Sequence, residues 1–122
     1  MTPERIDDLV GSIVAESRGA LTEEYIWGEI ASGRVALLVP DDETVLLLRE
    51  SVTPSGIKVA EFYGIAGQMT GWAKAYPRLE AEAKRRGNDR LRAEGRLGWA
   101  REAKKYGWKM TRVIVEKDLH DA

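Results

Sequence analysis

The chain has no cysteine, one histidine and one phenylalanine among its 122 residues. Without cysteine there is no disulfide framework, no thiolate metal site and no cysteine nucleophile. The lone histidine, His120, lies in the tail, so no Ser–His or Cys–His arrangement can form. Carboxylates are scattered, which predicts no metal site. No apolar run approaches the ~18 residues that a bilayer span requires, so no membrane partner is expected. Met1-Thr2-Pro3-Glu4 lacks a basic stretch followed by an apolar core, so no signal peptide is expected either. Repeats and low-complexity segments are also missing. What is present is ordinary globular composition, 43% hydrophobic and 32% charged, at a length suited to one domain over 1–122.

A net charge of −1 hides a separation of sign. Residues 1–73 carry 5 basic and 12 acidic side chains, net −7, whereas residues 74–112 carry 13 and 5, net +8. Residues 113–122 add one basic and three acidic, net −2. Two readings stand: the halves attract each other within the fold, or the basic half presents a surface to phosphate groups or an acidic partner.

Thr2 is a good N-cap and Pro3 a good first helical residue, and Ile6, Leu9, Val10, Ile13 and Val14 follow at helical spacing. The pattern predicts a helix over 3–17, within an N-terminal segment of 1–19. Leu21 and Ile26 bracket Thr22 as a hydrophobic staple, which predicts a second helix over 23–32 closed by Gly33. The apolar runs 34–40 and 44–50 read as a hairpin, and 57–67 as a third strand after the Thr53-Pro54-Ser55-Gly56 turn. On that strand Glu61 stands between Val59 and Tyr63, the most unusual polar placement in the chain. Met69, Trp72, Tyr76, Leu79 and Ala83 predict a helix up to Gly87, with Pro77 inside it and expected to kink it. A short strand over 89–95, a short helix over 97–106 and a last strand over 108–117 follow, with 118–122 as a tail. The class is α+β, in the order ααβββαβαβ. Strands over 34–67 are expected to form an antiparallel meander, and later crossings to add parallel or mixed pairs.

Three Gly-Trp pairs, Gly71-Trp72, Gly98-Trp99 and Gly107-Trp108, fall at the expected element boundaries and read as punctuation of the fold. The order of elements, read with the stretch from Glu80 to Lys109, resembles the GNAT family of N-acetyltransferases over about residues 20–117. Ala83-Lys84-Arg85-Arg86-Gly87, Gly95-Arg96-Leu97-Gly98-Trp99 and Tyr106-Gly107 are similar to small GNAT-like proteins of tailed phages. The resemblance implies a central mixed, mostly antiparallel sheet of about five strands with helices on both faces. It also implies acetyl-coenzyme A in a splay between the fourth and fifth strands, its pyrophosphate on backbone N–H groups at a helix start. Gln68, Gly71 and Ala73 match that pyrophosphate motif. Met69 and Trp72 are bulkier than the family's loop, and Trp72 also fits the apolar stripe of its own helix.

The family's roles fall on Glu61 as water-mediated base and on Tyr106 as acid to the departing thiolate. Tyr106 lies at the very end of its helix, where packing is the alternative. For Glu61 the alternative is an ion pair with Arg90, Arg92 or Arg96. Two functions follow from the resemblance. The first is a non-catalytic structural or assembly component of a tailed-phage virion, for instance in the portal, neck or head–tail region. It would have no cofactor, would dock with other phage structural proteins or with itself in a ring, and would pass from host cytoplasm to virion. The second is a cytoplasmic N-acetyltransferase using acetyl-CoA on an amine of a protein or small molecule. A nucleic-acid partner is not expected, because the arginines of 74–112 are spread over several elements rather than one groove-fitting helix.

Overall fold

The structure, a computed structural model, describes residues 1–67, 72–94, 101, 103–112 and 114–120, with the side chains of 72–75 left aside. Helix α1 (Pro3–Glu16) starts where Thr2 Oγ1 accepts the Arg5 N–H at 3.1 Å. Helix α2 (Glu23–Ala31) starts in the same way, on Thr22 Oγ1 and the Tyr25 N–H at 3.1 Å. Each cap satisfies one of the donors a helix start leaves unpaired. Strands β1 (Ala36–Asp41), β2 (Thr44–Val52) and β3 (Lys58–Gly67) form the expected antiparallel meander. Helix α3 (Trp72–Arg85) runs through Pro77, and β4 (Arg90–Ala93) then pairs parallel to β3. Among the described residues the result is a four-stranded mixed sheet in the order β1-β2-β3-β4.

The sheet separates two cores. On one face Leu9, Val10 and Ile13 of α1 and Ile26 of α2 pack on Val45, Leu47 and Ala66. On the other, Leu46 and Phe62 meet Tyr76 of α3, with Leu79, Leu91, Ala93, Tyr106 and Trp108 around them. The strand period of two sends neighbouring residues to opposite faces. That rule breaks once: Leu48 faces Phe62 and Leu47 faces Gly64, so Tyr63 is the extra residue of a β-bulge. Gly64 lets α1 approach closely, since a Cβ there would lie 2.9 Å from Ile13 Cγ2. Gly67, at φ +107°, has no such freedom at all, because a Cβ would meet the Glu43 carbonyl oxygen at 1.7 Å.

The expected strand over 108–117 is corrected here: none of its described residues is in a strand. The reason is geometric. Residues 109–112 and β4 line one cleft, and among the described residues no strand pairs with the segment. Of the expected helix over 97–106, Arg101, Ala103 and Lys104 are helical and the rest is a turn or lies outside the described residues. The pair Gly98-Trp99 lies outside them too.

Candidate functional site

Glu61 occupies the middle of the sheet, 8% exposed. Its Cα partners are Arg49 across β2 and Arg92 across β4, so three strands place a cation, a carboxylate and a cation in one row. Arg49 Nη2 donates to Glu61 Oε1 at 2.5 Å, and Arg92 Nη1 lies 3.9 Å from Oε2. Of the three arginines expected to pair with Glu61, Arg92 does so; Arg49 is the closer partner and is the one sequence reasoning missed. Counting outward from the β2–β3 turn would have found it, since Ser51 faces Val59 and Arg49 therefore faces Glu61. Arg49's guanidinium, its proton held more firmly by the hydrogen bond to Glu61, also lies over the Tyr63 ring, 5.0 Å from the centroid.

The bulge sets Tyr63 beside this row. Its hydroxyl is buried and has no hydrogen-bond partner among the described residues, and desolvation raises its pKa. Next to it, α2 supplies Tyr25 and Glu29. A hydrogen bond from Arg34 holds the Glu29 carboxyl below its usual range.

Tyr106 is on the other side of the sheet. It packs on the Phe62 core, its ring 4.8 Å from that of Tyr76, while Trp108 Nε1 donates to Tyr76 Oη at 2.8 Å. Phe62 and Glu61 are neighbours on β3 and face opposite ways, so the two candidate catalytic groups are not brought together on one face.

The parallel β3–β4 pair is short. Its last pairing is Phe62 with Ala93, and β3 continues to Gly67. Among the described residues, the β4-facing edge of residues 63–67 is therefore unpaired. Gln68 and Gly71 lie outside the described residues; Ala73 falls in the first turn of α3, and its side chain is not described. Among the described residues no group of histidine, aspartate and glutamate could hold a metal ion, and no helix is long and apolar enough to cross a membrane.

No protein-family model matches the chain, and no curated protein matches it. Solved structures do. A predicted acetyltransferase of Clostridium acetobutylicum, solved with acetyl-CoA, aligns over 93% of this chain and 92% of its own, with a TM-score of 0.61 and 15% identity. An acetyltransferase of Trypanosoma brucei aligns over 93% and 94%, at a TM-score of 0.62 and 12% identity. Glucosamine-6-phosphate N-acetyltransferase of Arabidopsis thaliana covers 84% of this chain and 82% of its own, at 0.59 and 12%. Identities this low show the fold alone. That fold is GNAT-like and α+β, as expected, with four strands of its mixed sheet among the described residues, compatible with the expected five or so.

Proposed function

We propose that the chain is an N-acetyltransferase that moves an acetyl group from acetyl-CoA to an amine of a protein or small molecule. The observation that carries this reading is the β3 edge over 63–67, unpaired among the described residues where β4 stops pairing, with α3 the next described element in the chain. When bound, acetyl-CoA would supply an activated acetyl thioester. The open edge offers backbone N–H and C=O groups to an extended, amide-bearing chain, as it would to an added strand. The α3 N-terminus offers donors and a positive dipole to a pyrophosphate, and Gln68, Gly71 and Ala73 are the residues proposed to frame it.

In this reading Glu61 accepts the amine's proton through water. Its Oε2 is the oxygen for that task, since Oε1 is taken by Arg49. Tyr106, packed across the sheet from Glu61 in the Phe62–Tyr76 core, takes no part in this reading, and the leaving thiolate takes its proton from solvent. A cytoplasmic protein is implied. A virion role has no support among the related structures, and the opposite charges of the two halves meet in part inside the fold, at Arg86–Glu50 and Arg92–Glu61.

Titration calorimetry with acetyl-CoA tests the proposal. Saturable binding in the micromolar range is expected, abolished by Gly71→Trp with the far-ultraviolet spectrum unchanged. No heat of binding at ligand concentrations of about 1 mM, an affinity too weak to count as recognition, would rule the reading out.

A further inference from the structure

In the row of Arg49, Glu61 and Arg92, two cations share one carboxylate, and they are not placed alike. Arg49 Nη2 donates to Glu61 Oε1 at 2.5 Å, a full charge-assisted hydrogen bond that fixes how the carboxylate turns. Arg92 Nη1 stands 3.9 Å from Oε2, beyond hydrogen-bond reach. Among the described residues no hydrogen bond reaches Oε2 or leaves the Arg92 guanidinium. An acceptor oxygen and a fork of donors thus lie side by side, each with capacity to spare. The Glu61 side chain is 10% exposed and that of Arg92 35%, so the gap is sheltered at the carboxylate and open to solvent at the guanidinium.

Such a gap suits a ligand that carries an amine and an anion close together. In an α-amino acid the nitrogen and the nearer carboxylate oxygen lie about 3 Å apart, set by ordinary bond lengths and angles. Laid beside the 3.9 Å gap, its ammonium donates to Oε2 and its carboxylate accepts from Arg92, in two nearly parallel hydrogen bonds. An amine whose anion is several bonds further off is not held to this spacing. Charge points the same way. When Glu61 takes a proton, the row loses its negative charge while Arg49 and Arg92 keep their positive ones. A carboxylate on the acceptor supplies the missing counter-charge at that moment.

We propose that Glu61 and Arg92 form the acceptor site, and that the acceptor is a free α-amino acid, acetylated on its α-nitrogen. This inference rests on the acetyltransferase reading and names its substrate class. The ammonium gives one proton through water to Glu61 Oε2. Its nitrogen then bonds the acetyl carbon as the carbon–sulfur bond breaks, its second proton goes to solvent, and the sulfur takes one from solvent. Arg92 holds the acceptor's carboxylate throughout, and Arg49 keeps Oε2 turned toward it.

Thermal unfolding of the full chain with each common L-amino acid, and with its α-amide, reads the site without acetyl-CoA. The amide keeps the amine and lacks the anion. At about 10 mM at least one amino acid is expected to raise the melting temperature by about 3 °C, the shift for a ligand well above its Kd. Its amide should need a concentration about tenfold higher for the same rise, the worth of one charge-assisted hydrogen bond. Arg92→Gln should bring acid and amide level, and Arg92→Lys should restore part of the difference. The comparison of acid with amide on the unmodified chain decides the matter even if a variant fails to fold. No amino acid better than its amide, or a preference that survives Arg92→Gln, would overturn the proposal. The acetyl-CoA titration reads the transferase separately. If acetyl-CoA binds while acid and amide are alike, the substrate class falls and the transferase stands. If the preference holds without acetyl-CoA binding, the amino-acid site stands and the transfer assigned to it falls.

Discussion

Glu61 is a buried carboxylate with one partner, Arg49, whose side chain is 48% exposed and another, Arg92, at 3.9 Å. Removing its charge by Glu61→Gln should cost about 1–2 kcal/mol, because one charge-assisted bond is lost and the partners can turn to water. Arg49→Met should cost at least as much, since it strands a buried carboxylate. Urea unfolding of both variants, and of the double variant, measures the coupling directly. If Glu61 is also the base, Glu61→Gln should lower turnover by roughly 10²-fold or more while acetyl-CoA affinity is unchanged. Gly67 gives a sharper test of the backbone. With φ at +107° and a carbonyl oxygen 1.7 Å from where a Cβ would be, Gly67→Ala should cost more than about 2 kcal/mol, read again as a lower urea midpoint.

Helices and strands were legible in the sequence where a local signal set them. Thr2 and Thr22 cap α1 and α2 as their positions beside apolar periodicity foretell, and β1 to β3 follow from three apolar runs and two turns. Thr22→Ala should accordingly cost about 1 kcal/mol, seen as a lower melting temperature. Pro77 is exposed inside an otherwise continuous α3, so Pro77→Ala should raise stability by about 1–3 kcal/mol by restoring a backbone donor and relieving the ring's clash. Illegible elements were those whose state depends on a neighbour. The stretch 108–117 has the composition of a strand, yet pairing needs a strand alongside, and composition cannot report that. Likewise Glu61 announced itself as a misplaced charge, but its tie to Arg49 depends on the register of β2 against β3. Tyr63 gave no signal, since a bulge is a property of two strands together.

At the scale of the whole molecule, acid stability should report the ion pairs that join its parts. Hydrogen bonds from Arg86, Arg34 and Arg85 depress the pKa values of Glu50, Glu29 and Glu82 respectively. A depressed carboxylate stabilises the fold above its unfolded pKa and loses that contribution as pH falls through its folded pKa. Melting temperature should therefore be level near neutrality and decline once pH passes below the ordinary glutamate value, about 4.3. Arg86→Ala, which unlinks α3 from β2, should lower the plateau and make the decline shallower; an unchanged slope would contradict the assignment. The arginine of each pair is largely exposed, so added salt should blunt the effect. The two cores share one sheet, and the bulge at Tyr63 decides which core each β3 residue serves. Before it the odd-numbered positions face α1 and α2, and after it the even-numbered ones do. β3 thus carries a change of parity midway, like a reading frame shifted by one letter. Deleting Tyr63 should leave both halves facing their own cores, whereas deleting Ala60 should turn the start of the strand inside out.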